Sequence, residues 1–163
     1  MPEFATLFAL AELAVAMAGF ASIVVLFKRG RAGGWAPADA DRFNGMLLHA
    51  MAAGFFCILP SFISVFTSDP SRIWTLASAS IAVQLLLHAA VIFWLPSTTA
   101  RIRLALVLPL GLVVLQFLNV LGVWFAGDFR PYLAAVLWHI FQAGFLFVTL
   151  VFVRDEDIEG RGS

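Results

Sequence analysis

Residues 4–27 form an apolar run interrupted by a single ionisable side chain, Glu12. Such a run leaves few options. The hydrocarbon core of a bilayer is about 30 Å thick and takes roughly 20 helical residues to cross, and a backbone out of reach of water must satisfy its own N–H and C=O groups, as a helix does. Four more runs of this kind follow, at residues 43–66, 73–95, 104–125 and 132–153. The sequence therefore predicts an all-α polytopic membrane protein, a bundle of five transmembrane helices making a single transmembrane helical domain over residues 1–157. Composition agrees. With 62% hydrophobic and 12% charged residues and a mean hydropathy of +0.97, the chain cannot supply the charged surface of a soluble domain.

Turn-forming residues fall between the runs: Gly33-Gly34 with Pro37, Asp69-Pro70, Pro96-Ser97, and Gly127-Asp128 with Pro131. Asp69 before Pro70 reads as an N-cap with proline at the first helical position. Pro37 with Asp39 and Asp41 starts the second helix before the membrane. Pro60, near the other end of that helix, lacks the N–H that would bond to the carbonyl of Phe56, which makes it the candidate hinge.

Charge sets the expected orientation. The first loop holds Lys28, Arg29, Arg31 and Arg42, the third holds Arg101 and Arg103, and the tail begins with Arg154, whereas the alternate side has only Arg72 and Arg130. The positive-inside rule then puts the amino terminus outside and the carboxyl terminus in the cytoplasm, as a multi-pass protein of the cytoplasmic (inner) membrane. Trp35, Trp74, Trp94 and Trp124 lie near run ends, where indoles anchor at headgroup level. The start, Met1-Pro2-Glu3, lacks the basic region of a cleaved signal, so the first run is expected to stay as a helix. At the other end, residues 158–163 match an engineered protease-cleavage linker and are set aside. The acidic cluster Asp155, Glu156 and Asp157 reads as a solvated tail.

Several functions are excluded by what the chain lacks. Net charge is zero and there is no basic arm, so no nucleic-acid partner is expected. Cys57 is the only cysteine, which leaves no internal disulfide and no cysteine-cluster metal site. No nucleophile motif, phosphate loop or metalloprotease pattern occurs, and no run contains the lysine a Schiff base needs. The expectation is a protein that is not an enzyme and holds no metal.

The polar residues inside the runs carry the functional question. Ser80, Gln84 and His88 share one face of the third helix; Gln116 and Asn119 share a face of the fourth, and His139 and Gln142 of the fifth. Counted from the turn at Gly127, Asn119 is expected level with His139 and Gln116 level with Gln142. Counted from Asp69, His49 and His88 reach similar depth. These depths suggest a ladder: Glu12, Asn119 and His139 as an outer site, Gln84, Gln116 and Gln142 midway, and His49 with His88 as an inner site. A carboxylate in hydrocarbon costs roughly 2.5–3.5 kcal/mol on insertion scales, so Glu12 is expected to face protein, the more so because Ala16 and Gly19 share its face. His49 shares a face with Ala53 and Cys57, so the first two helices are expected to pack through small residues.

Three functions fit. The leading one is a small channel or transporter for protons or a small cation, its polar ladder running inside the bundle or along a homo-oligomer interface. The second is an accessory or structural subunit that pairs with a membrane-protein partner in the bilayer and has no chemistry of its own. The third is a redox subunit holding b-type haem between His49 and His88.

Overall fold

The computed structural model describes residues 2–29, 37–94 and 107–152. They form five helices: α1 (Pro2–Arg29), α2 (Pro37–Ile63), α3 (Pro70–Trp94), α4 (Val107–Val120) and α5 (Phe129–Phe152). No strand occurs among the described residues. Helices α1, α2, α3 and α5 are each long and apolar enough to cross a membrane; α4 is a shorter apolar helix. The Gly33-Gly34 and Pro96-Ser97 punctuation, the basic residues Arg31, Arg101, Arg103 and Arg154, the acidic tail and the linker at 158–163 lie outside the described residues.

Local chemistry explains the helix limits. The α2 helix begins at Pro37, as its proline and acidic first turn predict. Asp69 caps α3, its Oδ1 accepting from the N–H of Ser71 at 3.0 Å with Pro70 at the first position. Asp128 caps α5 in the same way, taking the N–H of Arg130 at 2.8 Å.

The fourth run departs from expectation. Its helix ends at Val120, and residues 121–127 form a non-helical loop in which Gly122, Ala126 and Gly127 have φ of 68°, 49° and 75°. The cause is Asn119, whose Oδ1 accepts from the N–H groups of Gly127 and Asp128 at 3.1 and 2.8 Å. Those bonds hold the returning chain against the last turn of α4 and stop the helix short of Phe125. At about 1.5 Å per residue the helical part of α4 spans roughly 21 Å, less than a hydrocarbon core.

The centre of the bundle is α2, which packs on α1, α3 and α5; α3 also packs closely on α4. One buried cluster joins Leu7, Phe56, Trp74, Ile81, Tyr132 and Val136, and a smaller one joins Ala21, Met46, Ala50 and Ala143. Two contacts set the register. The Trp74 ring lies 4.9 Å from that of Phe129, so α5 begins about a turn deeper than α3. The Tyr132 hydroxyl donates to the Phe56 carbonyl, the one that Pro60 leaves without a helical donor. The α2 helix runs unbroken through Pro60, which is buried.

Candidate functional site

The three histidines of the chain meet at one place. His49 on α2 lies two turns from Phe56 and His139 on α5 lies two turns from Tyr132, so the antiparallel register set by the Tyr132–Phe56 bond brings the two imidazoles together. Their Nδ1 atoms are 3.0 Å apart. Likewise Gln84 is ten residues past Trp74 and His139 ten residues past Phe129, and the Gln84 Oε1 lies 3.0 Å from His139 Nε2. His88, one turn beyond Gln84 on α3, sets its ring edge-to-face on His49 with centroids 5.0 Å apart. The Phe56 ring lies nearly parallel to His139 at 6.2 Å.

With both rings neutral, hydrogen-bond chemistry assigns the protons along this chain of contacts. An amide oxygen only accepts, so His139 donates from Nε2 to Gln84 and keeps a bare Nδ1. That nitrogen accepts from Nδ1–H of His49, which leaves His49 with its lone pair on Nε2. His139 and His49 are 0% and 6% exposed, and Gln84 and His88 are half-buried. The polar site therefore opens toward α3 and is sealed by α2 and α5.

The ladder is redistributed. His49 and His88 are level, as their counting predicts, but His139 joins them instead of forming an outer tier. The miscount comes from α4 ending at Val120 and from the depth at which α5 starts. Asn119 lies level with Asp128, not His139: its Nδ2 donates to the Asp128 carbonyl at 2.9 Å and to Ser78 Oγ at 2.8 Å. Gln116 is level with Pro131, not Gln142; its Nε2 donates to the Pro131 carbonyl at 2.6 Å, while its buried Oε1 has no partner. Gln142 is half-buried in a groove of about 580 Å³ with Val107, Leu108, Gly111 and Trp138. Ser80 is exposed and bonds within its own helix, to the Leu76 carbonyl at 2.9 Å.

Glu12 also stands elsewhere. It is exposed, at an open groove that Phe8, Ala11, Val15 and Ala16 of α1 form with Ile58 of α2, and among the described residues it has no hydrogen-bond or ion-pair partner. Ala16 and Gly19 are exposed with it, while α1 packs inward through Leu7, Ala14, Ala21 and Val25. The two helices do pack closely through small residues, but through the adjacent side of α1, where Ala14 and Ala21 are buried and Ala18 packs on the cluster of Ala21, Met46 and Ala50; Glu12, Ala16 and Gly19 stay exposed.

The haem arrangement does not fit. Axial imidazoles face each other across a macrocycle with the iron between them. His49 and His88 instead touch edge to face, and the Nδ1 of His49 is engaged by His139. Among the described residues no group of three or more His, Cys, Asp or Glu is arranged to hold a metal ion.

Two contributors escape sequence reasoning. Tyr132 and Ser78 are buried partners of the polar network. A lone serine among small residues carries no signal, but Tyr132 is the only tyrosine of the chain, and a tyrosine inside an apolar run needs a partner for its hydroxyl. No protein-family model, curated protein or solved structure matches the chain.

Proposed function

We propose that this chain is a small integral membrane protein that takes up and passes protons through the cluster of His88, His49, His139 and Gln84. One observation carries the reading: the Nδ1–Nδ1 contact of 3.0 Å between two buried imidazoles, continued by the 3.0 Å contact to Gln84. A proton arriving at the bare Nε2 of His49 breaks no hydrogen bond. The Nδ1 proton of His49 then shifts to Nδ1 of His139, which moves the charge from α2 to α5; His139 gives up its Nε2 proton to water on the half-buried Gln84 side, and both rings turn to restore the starting tautomers. His88, half-buried and against His49, is the side chain by which a proton reaches that nitrogen. Small cations are set aside because the cluster offers no carboxylate. In this reading α1, α2, α3 and α5 cross the cytoplasmic membrane, α4 together with the loop at residues 121–127 completes a fifth crossing, and the amino terminus is outside, which the distribution of Lys and Arg supports.

Proton flux into liposomes under a potassium diffusion potential tests it. Wild type is expected above the protein-free rate, His139→Gln and His49→Gln at that rate, and Glu12→Gln unchanged from wild type. Equal flux in wild type and both histidine variants overturns the reading. Background flux in wild type favours the second reading, an accessory subunit. That alternative draws on Asn119, whose amide is fully engaged in holding the α4–α5 loop to α3.

A further inference from the structure

We propose that the outward face of α1 is the seat of a second copy of this chain, the two α1 helices crossing at Glu12. The face has a defined period. Ala5, Ala9, Glu12, Ala16, Gly19 and Ile23 follow one another at steps of four and three, and every one of them is exposed. That 3.5-residue repeat is the seam of a left-handed helix pair. It runs opposite the buried positions Leu7, Ala14, Ala21 and Val25, so α1 can hold its own bundle and a neighbour at once. All but two of the seam residues are Ala or Gly, and a Cβ added at Gly19 would meet nothing within 4 Å. Two such faces can approach to backbone contact.

The carboxyl group names the occupant. Glu12 lies ten residues into α1, about 15 Å along its axis, and leaving it against lipid is costly. Among the described side chains the cations Arg42, Arg72 and Arg130 stand near the starts of α2, α3 and α5, and none of them pairs with Glu12. A second Glu12 can. A carboxylic acid both donates and accepts, so two of them across a two-fold axis satisfy each other, and an isologous interface puts like residues face to face at its centre. A single polar seam position also fixes register, as buried polar residues do in coiled coils.

Oxidative crosslinking of the full chain in liposomes at low protein-to-lipid ratio tests this, with Cys57→Ala as background. Ala9→Cys and Ala16→Cys are expected to give covalent dimer at least tenfold faster than Val83→Cys on the exposed face of α3. Glu12→Gln, which keeps a donor and an acceptor, retains that rate. Glu12→Lys, which sets two cations together, abolishes it. Ala16→Phe, in the Ala9→Cys background, blocks the seam without changing charge and gives the same loss should the lysine variant fail to insert. Crosslinking at Ala9 and Ala16 no faster than at Val83 overturns the proposal, as does a dimer unaffected by both Glu12→Lys and Ala16→Phe. A chain that stays monomeric in bilayers overturns it too, and points instead to a different protein with a cation at that depth.

Discussion

The hydroxyl of Tyr132 donates to the carbonyl of Phe56, which has lost its helical donor to Pro60. The proline thus moves a hydrogen bond from inside α2 to the contact between α2 and α5. Tyr132→Phe leaves that buried carbonyl with no donor and is expected to cost about 1–3 kcal/mol in unfolding from mixed micelles. In a Pro60→Ala background the restored N–H serves Phe56, so the same tyrosine change is expected to cost less by about 1 kcal/mol or more. Additive losses in the double-mutant cycle would show that the two residues act independently.

The Asn119 knot gives a sharper result. Asn119→Ala removes an amide that accepts from Gly127 and Asp128 and donates to Ser78 and the Asp128 carbonyl. A loss of about 2 kcal/mol or more is expected, with new protease cleavage between residues 121 and 127. Gly127→Ala is expected to be at least as damaging. Its φ is 75°, and an added Cβ would lie 2.5 Å from the Ser71 carbonyl oxygen and 2.9 Å from Thr75 Oγ1.

The proton positions in the histidine cluster are open to nitrogen NMR of the side chains. With both rings neutral, His139 is expected as the Nε2–H tautomer and His49 as the Nδ1–H tautomer, because Gln84 accepts from the first ring and the first ring from the second. Gln84→Leu removes that bias, so the tautomers of His139 are expected to mix. Unchanged tautomers in the leucine variant would mean that another group sets them.

Asp128 supplies a pH dependence outside the membrane-spanning segments. Hydrogen bonds from the Arg130 side chain, and then from its backbone N–H, hold the carboxyl below the ordinary carboxylate range. A carboxylate with a lowered folded value stabilises at every pH above its unfolded value and loses that effect as pH falls through the folded one. The melting difference between wild type and Asp128→Asn, which keeps the N-cap, is therefore expected to be flat from pH 8 to 5 and to shrink below about pH 4.

Much of the fold was legible because one signal, apolar run length, dominates it: the limits of α1, α3 and α5 fall within three residues of the expected runs, and α2 starts ahead of its run at Pro37, as its proline and acidic residues predict. The proline effect on Phe56 was legible for a similar reason, since it depends only on local backbone chemistry. Depth was not. Placing Asn119 beside His139 assumed a straight hairpin, and a polar side chain that folds the loop back onto its own helix breaks the count. Which side Glu12 faces was also hidden. Small residues at helical spacing mark a close-packed face but do not say which neighbour packs there, and here the inward face of α1 is Leu7, Ala14, Ala21 and Val25.

The Trp74–Phe129 contact has a consequence for how such a site can be lost. Gln84 and His139 meet because both lie the same number of residues beyond it, so the two rings act as a common zero mark for two rulers. One residue inserted between Phe129 and His139 would turn the imidazole by about 100° while leaving the composition of α5 almost untouched. The helix would remain about as apolar as before, and the histidine would take the half-buried place of Ile140, away from Gln84 and His49. The cluster is thus a matter of phase between helices, sensitive to insertions and deletions that hydropathy does not register.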